Sequence, residues 1–444
     1  MPSKTKTSHS SGAERPSKVA LTPSQESGMA LLQSSAENIF LTGGPGTGKS
    51  FLIHEYLKRS EEDIPVVAST GAAAILVGGR TFHSFFSLGI MQGGMEACVQ
   101  KALQNKGLRS RLRNLKTLVM DEISMLSRDA FDAAEKITRA IRQSEAPWGG
   151  ARIIASGDFA QLPPISPDRQ KAWCFQAGAW RRSHFTRVTL TEVKRTDDAE
   201  FLDILEEIRW GRVTERVREF LNQRLALAED IEADVPHLFP RRAQTQAYNK
   251  KRLEELSTPL CVFETEYSGD AHGVERLKRD APVPALLELK KGALVMTRIN
   301  DPRQRFINGT VGTVLEVLDD VLYVKMRGRT IELEPFTFSW LNADGEEAAY
   351  ARNFPVNLAY ASTIHKIQGT TLDRVHADLN ALWEPGQAYV ALSRARNAGA
   401  VTLSAWGESS IHADPMVQAF YEGRLEEFLE EAGLTEPRET LFED

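Results

Sequence analysis

The stretch Leu41-Thr42-Gly43-Gly44-Pro45-Gly46-Thr47-Gly48-Lys49-Ser50 decides how this chain folds. It fits the phosphate-binding loop pattern G-x-x-x-x-G-K-S/T. The apolar run Ile39-Phe40-Leu41 before it indicates a buried strand, and Phe51-Leu52-Ile53 after it indicates the start of a helix. Glycines let backbone N–H groups converge on phosphate oxygens at the positive end of that helix. A Gly-rich turn before an ordinary helix is the alternative, but the strand–loop–helix context favours nucleotide binding.

A pair of acids follows a second apolar run. Leu118-Val119-Met120 ends in Asp121-Glu122, an arrangement that accompanies phosphate loops. Lys49 is expected to reach the β- and γ-phosphates, while Ser50 and Asp121 hold Mg²⁺ and Glu122 polarises the attacking water. Helix N-termini also favour acids, which is the alternative explanation for this pair. Together the two segments predict ATP and Mg²⁺ as cofactors.

Length and composition describe an ordinary globular protein. The chain has 444 residues, of which 42% are hydrophobic and 26% charged, and this length suggests two to four domains. No apolar run is long enough to span a membrane, and residues 1–20 lack the apolar segment of a secretory signal. The cysteines Cys98, Cys174 and Cys261 are too far apart for a disulfide framework or a zinc site. We expect a cytoplasmic protein, nucleoid-associated in a bacterium, with a disordered tail at 1–20.

The net charge of −6 at first argues against a nucleic-acid partner. Residues 421–444 carry nine acids and two bases, which is −7, so the remainder carries +1. A stretch without acids, from 97 to 120, contains six bases: Lys101, Lys106, Arg109, Arg111, Arg113 and Lys116. Local patches set the field that a nucleic-acid strand experiences, although a charge run is more often a solvated face.

Strand and helix patterns alternate in residues 36–190, which predicts a parallel sheet covered on both faces. The expected strands are 38–42, 65–69, 117–120 and 152–156, and the expected helices are 49–59 and 129–143. Helical patterns at 198–210 and 214–225 follow, and strands near 357–361 and 375–378 mark a return to α/β character. Between them, residues 285–350 alternate β-formers around Asn308-Gly309, which predicts the hairpins of a small β-barrel.

Three further residues are candidates for sensing or stabilising phosphate. Gln161 lies in Gly157-Asp158-Phe159-Ala160-Gln161-Leu162-Pro163-Pro164, a loop that we expect at the same sheet edge as the phosphate loop. Arg195 and Arg394 come from later segments. A guanidinium supplied from across a cleft stabilises the charge of a phosphoryl transition state, although any single arginine is more often an ordinary surface residue.

Taken in order, these motifs resemble a superfamily-one DNA helicase of the Pif (petite integration frequency) and RecD-like group. The resemblance covers roughly residues 21–410 and includes a Pif-like segment at 128–150. Ile367 departs from the family, which more often has a small polar residue there. The matching segments are GGPGTGKS (43–50), STGAAA with GRTFHSFFSLG (69–89), DEISM (121–125), GDFAQLPP (157–164), LTEVKRT (190–196), NDPRQRFINGTVGTV (300–314), YASTIHKIQGTTLD (360–373) and GQAYVALSRAR (386–396).

The resemblance implies two RecA-like parallel-sheet domains around an ATP cleft. The implied bounds are 21–190 for the first domain with an insertion at about 80–113, 191–284 and 351–435 for the second, 285–350 for its β-barrel insertion, and 436–444 for an acidic tail. It also implies residue roles. Implied nucleotide contacts come from Gln25, which would read adenine, from Gly44, Pro45, Gly46, Thr47, Gly48, Lys49 and Ser50, and from Gly369 beside Arg394. Implied contacts with single-stranded DNA come from Thr70, His83 and Ser84 on the first domain and from Thr363 and His365 on the second.

A helicase of this kind would move 5′→3′ on single-stranded DNA, as a monomer, and would act on forks, RNA–DNA hybrids and G-quadruplexes. Phe82, Phe85 and Phe86 would stack on bases or form a wedge, but for at least two of them we favour core packing. Two alternatives remain at this stage: a phosphate-loop ATPase with a non-nucleic-acid partner, and a DNA-binding module with a degenerate nucleotide site.

Overall fold

Two parallel sheets and a group of antiparallel sheets organise the chain. A computed structural model describes residues 20–69, 73–74, 80–89, 91, 94–164, 172–301, 303, 305–341 and 346–432. Within these ranges, none of the helices combines the length and the apolar character that crossing a bilayer requires.

The first parallel sheet carries the phosphate loop. Its strands are β1 Ile39–Thr42, β2 Val66–Ala68, β3 Arg80–Thr81, β4 Thr117–Asp121, β5 Arg152–Ser156 and β6 Thr186–Thr189. They are ordered β3-β2-β4-β5-β1-β6 and all pairs are parallel. The four strands expected from the sequence are confirmed. Strands β4 and β5 form the centre of the sheet, where both faces are covered, and β1 pairs with the other edge of β5.

Helices cover this sheet on both faces. They are α1 Pro23–Ser34, α2 Lys49–Arg59, α3 Phe82–Phe85, α4 Gly94–Leu103, α5 Lys106–Asn114, α6 Arg128–Arg142 and α7 Gly178–Arg182. Helix α1 begins at a capping box formed by Thr22 and Gln25. Phe82, Phe85 and Phe86 are buried in the core between sheet and helices, so core packing is confirmed for all three.

The chain then enters the second domain through α8 Ala199–Arg209, α9 Glu215–Asn222, β7 His237–Phe239 and α10 Arg242–Glu254. The two expected helices are confirmed, and both pack into a second hydrophobic core. Because β7 is a short buried strand that pairs only with strands from later in the chain, the sheet it belongs to is completed only after the insertion.

Antiparallel sheets form the insertion. Its elements are β8 Cys261–Glu264, β9 Glu266–Gly269, α11 Ala271–Asp280, β10 Leu286–Leu289, β11 Leu294–Thr297, β12 Val311–Val317, β13 Leu322–Met326, β14 Arg329–Leu333, β15 Phe336–Leu341, β16 Glu347–Asn353 and β17 Val356–Leu358. The sheets are ordered β14-β13-β12-β11-β17, β15-β16-β9 and β10-β8. Since β8, β9 and β17 belong to them, the pairings favour wider bounds for the insertion, 261–358, than the expected 285–350.

The Asn308-Gly309 turn forms as expected. Thr310 N donates to the Ile307 carbonyl at 3.0 Å, and Gly309 has φ 91°, a conformation that glycine adopts without strain. A Cβ there would also lie 2.9 Å from Cβ of Thr370 in the second domain. The turn therefore lies where the insertion packs against the second-domain segment that carries Thr363, His365 and Gly369.

The second parallel sheet is completed by β18 Ala361–Thr363, β19 Val375–Leu379, α12 Gln387–Leu392 and β20 Val401–Trp406, in the strand order β18-β7-β19-β20. The prediction of a single strand at 357–361 is wrong. The chain leaves the antiparallel sheet at Leu358 and starts the parallel sheet at Ala361. Apart from Asn357 this run is apolar, and it is at least partly buried along its whole length, so the sequence shows no break.

Two helices end the described chain, α13 Pro415–Glu422 and α14 Leu425–Glu431. Helix α13 packs on the first domain, although it follows the second sheet. Val417 belongs to the first-domain core, and the Phe420 ring lies 4.5 Å from that of Phe175 and 6.0 Å from that of Phe40. After the second sheet, the chain therefore returns to the first domain and packs against β1, the strand that leads into the phosphate loop.

Candidate nucleotide site between the two parallel sheets

The phosphate loop connects β1 to α2 in a conformation that depends on glycine. Gly46 and Gly48 have φ of 82° and 84°, and a Cβ at Gly48 would lie 2.5 Å from Nε2 of Gln25. Lys49 Nζ donates to the Gly43 and Gly44 carbonyls at 2.8 and 3.2 Å. The ammonium group therefore lies inside the loop, where a phosphate would compete for it.

Gln25 braces this loop from behind. Its Nε2 donates to the Thr47 carbonyl at 2.8 Å, and its Oε1 accepts from Thr22 N at 3.0 Å. The Thr47 hydroxyl donates in turn to the Gly44 carbonyl at 2.8 Å. The Gln25 amide is thus engaged with the loop, and its contact with adenine stays a prediction, as do the nucleotide contacts of Pro45 and the rest of the loop.

The two acids at the end of β4 lie beside the loop. Ser50 Oγ donates to Asp121 Oδ2 at 3.0 Å, and Asp121 Oδ1 accepts from Glu122 N at 3.0 Å. Mg²⁺ in such sites is held by a hydroxyl, one or two carboxylates and phosphate oxygens, which Ser50 and Asp121 fit. The described residues contain no cluster of three or more His, Cys, Asp or Glu that could hold a metal. With one hydroxyl and one carboxylate, the pair suits an ion whose other ligands come from the nucleotide.

Glu122 has the environment of a general base. Burial raises the pKa of Glu122 to about 7, and the neighbouring charge of Asp121 adds to this rise. The positive charges of Lys49 and Arg394 act in the opposite direction. Since a general base works best with a pKa near the operating pH, Glu122 is suited to taking a proton from water.

Arg195 reaches the phosphate loop from the segment that leads into the second domain. A Cβ at Gly46 would lie 2.7 Å from Cβ of Arg195, and Lys194 N donates to the Gly46 carbonyl at 2.9 Å. The Arg195 guanidinium donates to the carbonyl of Ser393, immediately before Arg394. The two arginines that the sequence singled out therefore lie together, and at the phosphate loop.

Arg394 is almost fully buried, with 1% of its surface exposed. Its guanidinium donates to the Val390 and Thr370 carbonyls at 2.9 and 3.2 Å and to Ser393 Oγ at 2.9 Å. These bonds fix its orientation without neutralising its charge.

The charges of these arginines are only partly balanced, because Glu122 and Asp158 act on Arg394 without forming an ion pair with it. Burial, together with Arg394, lowers the pKa of Arg195 to about 9, and burial lowers the pKa of Arg394 to about 10. Both stay protonated at neutral pH, and neither forms an ion pair with a carboxylate of the described residues. Because a buried charge without a partner is costly, two adjacent ones favour binding of an anion between the domains.

Other parts of the second domain touch the first at this cleft. A Cβ at Gly386 would lie 2.5 Å from the carbonyl oxygens of Ala160 and Gln161, so the start of α12 packs on the loop after β5. Gln161 is 6% exposed. Gly369 has φ 78° and is exposed. The γ-phosphate roles of Gln161 and Gly369 remain predictions.

Sequence reasoning missed Tyr389, Asp158 and Arg209. The Tyr389 hydroxyl lies 3.2 Å from where a Cβ on Gly44 would stand, which puts it at the phosphate loop. It lies in the segment 386–396 that also carries Arg394, and this was a usable signal. Asp158 and Arg209 form a buried ion pair at 2.9 Å, and no local pattern joins them.

The candidate DNA contacts lie at the ends of strands. His83 and Ser84 follow β3, while Thr363 ends β18 and is followed by His365. Carboxyl ends of parallel strands are where functional loops of such sheets lie. Burial and the positive charge of Arg276 lower the pKa of His83, and burial lowers that of His365. Thr70 lies outside the described residues.

A phosphate loop on one parallel sheet, faced by buried arginines from a second, defines a two-domain nucleotide-driven ATPase. The family model for PIF1-like helicases matches residues 22–219. The chain is 47% identical to the ATP-dependent DNA helicase Pif1 of Bdellovibrio bacteriovorus over 407 residues, 91% of this chain and 92% of that one. The chain belongs to the PIF1-like helicase family.

Solved structures agree with this assignment. Bacteroides Pif1 in complex with ADP-AlF4 matches with a TM-score of 0.81 and 28% identity, over 92% of this chain and 98% of that one. Bacteroides Pif1 bound to single-stranded DNA matches with a TM-score of 0.64 and 28% identity, over 93% and 98%. The expected fold class, two RecA-like domains with an insertion in each, is confirmed.

Proposed function

We propose that this protein is an ATP-dependent DNA helicase that moves along single-stranded DNA. The observation that carries the proposal is that Arg195 and Arg394 lie together at the cleft, with Arg195 against the phosphate loop and the charge of Arg394 acting on Glu122. A triphosphate with Mg²⁺ on Ser50 and Asp121 would supply the missing negative charge. The relatives named as DNA helicases, one of them solved with single-stranded DNA, support a nucleic-acid track.

The charge arrangement explains how nucleotide would drive motion. ATP favours the closed cleft because only there do the phosphates face Lys49 on one side and both arginines on the other. Glu122 takes the proton of the attacking water, and release of phosphate removes the contact that held the domains together. If the loops with His83 and Thr363 grip DNA alternately, each closure advances the protein along the strand.

The finer properties rest on family resemblance. We propose 5′→3′ movement by a monomer and action on forks, RNA–DNA hybrids and G-quadruplexes. Binding to DNA should be mostly to the backbone, and therefore tolerant of sequence and weakened by salt.

Two measurements test the proposal. ATP turnover is measured with and without single-stranded DNA, and unwinding is measured on matched duplexes with a 5′ or a 3′ tail. We expect DNA to stimulate turnover and only the 5′-tailed duplex to open. Turnover that ignores DNA would favour the alternative, an ATPase with a non-nucleic-acid partner. Opening of the 3′-tailed duplex alone would overturn the polarity.

A further inference from the structure

Helix α13 places a tyrosine hydroxyl behind the phosphate loop. Tyr421 Oη lies 2.9 Å from Oγ1 of Thr42, the last residue of β1. It accepts a hydrogen bond from Phe159 N at 3.1 Å and donates to Asp158 Oδ1 at 3.3 Å. One hydroxyl thus touches both segments that border the proposed phosphate position: the start of the phosphate loop and the loop that carries Gln161.

The carboxylate that this hydroxyl meets also connects the two domains. Asp158 is fully buried, and its Oδ1 accepts from Arg209 Nη2 at 2.9 Å and from Ala160 N at 3.2 Å. Arg209 ends α8 of the second domain, and its guanidinium lies over the Tyr421 ring, 5.3 Å from the centroid. The other oxygen, Asp158 Oδ2, is buried and has no hydrogen-bond partner among the described residues.

The position of the ring does not depend on the hydroxyl. The Phe420 ring stacks on Phe175 at 4.5 Å, and Gln418 Nε2 donates to the Trp210 carbonyl at 2.7 Å. Arg187 donates to the Tyr421 carbonyl at 3.0 Å. Because these contacts hold α13 in place, loss of the hydroxyl alone would leave the helix docked. It would remove one of the three donors to Asp158 Oδ1 and the acceptor of the Phe159 N–H.

We propose that Tyr421 is a positioning residue for ATP hydrolysis. Its hydroxyl holds Asp158, and with it the loop that carries Gln161, at a fixed place relative to the phosphate loop and to Arg209. Additional hydrogen bonds help to offset the cost of burying an ion pair, and the Tyr421 hydroxyl is a third donor to Asp158 Oδ1 beside Arg209 and Ala160. The inference deepens the proposed function, since it concerns the same nucleotide site.

The first test is Tyr421→Phe, which removes only the hydroxyl. We expect kcat for ATP at saturating single-stranded DNA to fall about tenfold, because small misplacement of a reacting loop costs rate rather than binding. KM for ATP and the affinity for ADP should stay within about twofold of the wild type. The matched control is Tyr350→Phe, whose hydroxyl bonds Glu266 in the insertion at 3.0 Å, and which should keep wild-type turnover.

A double-mutant cycle with Asp158→Asn tests whether the hydroxyl acts through this carboxylate. If it does, the double variant loses little more than Asp158→Asn alone, whereas independent roles would multiply the two losses. ADP affinity and thermal unfolding of each variant show that the site is folded. Wild-type kcat in Tyr421→Phe, multiplied losses, or a fall in ADP affinity equal to the fall in kcat would each overturn the proposal.

Failure here is distinguishable from failure of the proposed function. The latter is decided by the wild-type protein, through unwinding and the response of turnover to DNA. The role of Tyr421 is decided by comparing kcat between variants, which are measured both with and without DNA. If the wild-type protein hydrolyses ATP at a rate that DNA does not change, the helicase proposal fails. The effect of Tyr421→Phe on kcat can still be measured in that case.

Discussion

The two walls of the nucleotide cleft differ in how their charges are balanced. On the first-domain wall, Lys49 lies among carboxylates: Asp158, Glu122 and Asp121 all oppose the effect of burial, which lowers the Lys49 pKa. On the opposite wall, Arg195 and Arg394 form no ion pair with a carboxylate of the described residues, and only Glu122 and Asp158 of the first wall partly offset the charge of Arg394. On the first wall, the positive charge of Lys49 is balanced by nearby carboxylates before a ligand binds. On the second wall, the positive charges of the two arginines are not balanced in this way. We infer that the ligand is what makes closure of the two walls favourable.

The largest loss of activity should follow from removing the cation of the first-domain wall, Lys49. Lys49→Ala removes the cation that we propose meets the β- and γ-phosphates, and we expect ATP hydrolysis to fall by about 10³-fold or more. Binding to single-stranded DNA should persist, since the candidate DNA residues lie on other loops. Hydrolysis is measured by phosphate release and DNA binding by a salt-titrated curve. Lys58→Ala, an exposed lysine on the same helix, serves as the control. Substantial turnover in Lys49→Ala would refute the assignment of this loop.

Breaking the second wall should cost less. Arg394→Ala removes a guanidinium that we propose stabilises the charge of the transition state, so we expect kcat to fall about 100-fold while ATP affinity changes far less. Arg394→Lys keeps the charge but not the fork of donors, and should recover only part of the rate. The control is Arg396→Ala, two residues away, which bonds Asp373 near the surface. Equal losses in kcat and affinity would show that Arg394 acts in the ground state.

The same contrast separates what the sequence could predict from what it could not. The phosphate loop and the acids at 121–122 are contiguous motifs, so their local pattern carries both the structure and the chemistry. Arg195 and Arg394 could be named, but their contact through Ser393 depends on how two domains meet. Nothing local joins Tyr421 to Asp158, because their interaction spans 263 positions of the chain. Pairings of this kind follow from tertiary packing alone.

A pH profile sharpens the comparison, because Glu122 should titrate in the neutral range. Burial raises its pKa to about 7, so its base form is lost as the pH falls through 7. We expect kcat/KM for ATP to rise about tenfold between pH 6 and 8, measured at saturating Mg²⁺ so that the nucleotide keeps its magnesium form. Glu122→Gln should be slow at every pH and lose this dependence. A profile that is unchanged in shape in Glu122→Gln would assign the titration to another group.

The smallest effect concerns stability, and it comes from a pair of buried histidines in the second parallel sheet, His237 on β7 and His376 on β19. His237 on β7 contacts Tyr248 Oη through Nε2 at 2.9 Å, and its ring centroid lies 4.6 Å from that of His376. Burial, with the charges of His376 and Arg252, lowers the pKa of His237 to about 4. An unfolded chain takes up this proton near pH 6.5, whereas the folded one does not until about pH 4.

The contribution of His237 to the free energy of unfolding is therefore fully present above pH 6.5. It is lost as the pH falls from 6.5 towards 4. We expect the wild-type Tm to decline over this range and the decline to be shallower in His237→Gln, while His54→Gln, at an exposed position on α2, follows the wild type. The activity change assigned to Glu122 occurs near pH 7, where the loss of stability from His237 has barely begun. The His237→Gln variant therefore separates protonation of Glu122 from destabilisation of the second sheet. An identical Tm profile in His237→Gln would place the acid sensitivity elsewhere. The loss of activity between pH 7 and 6 would still be assigned to protonation of Glu122 in the nucleotide cleft.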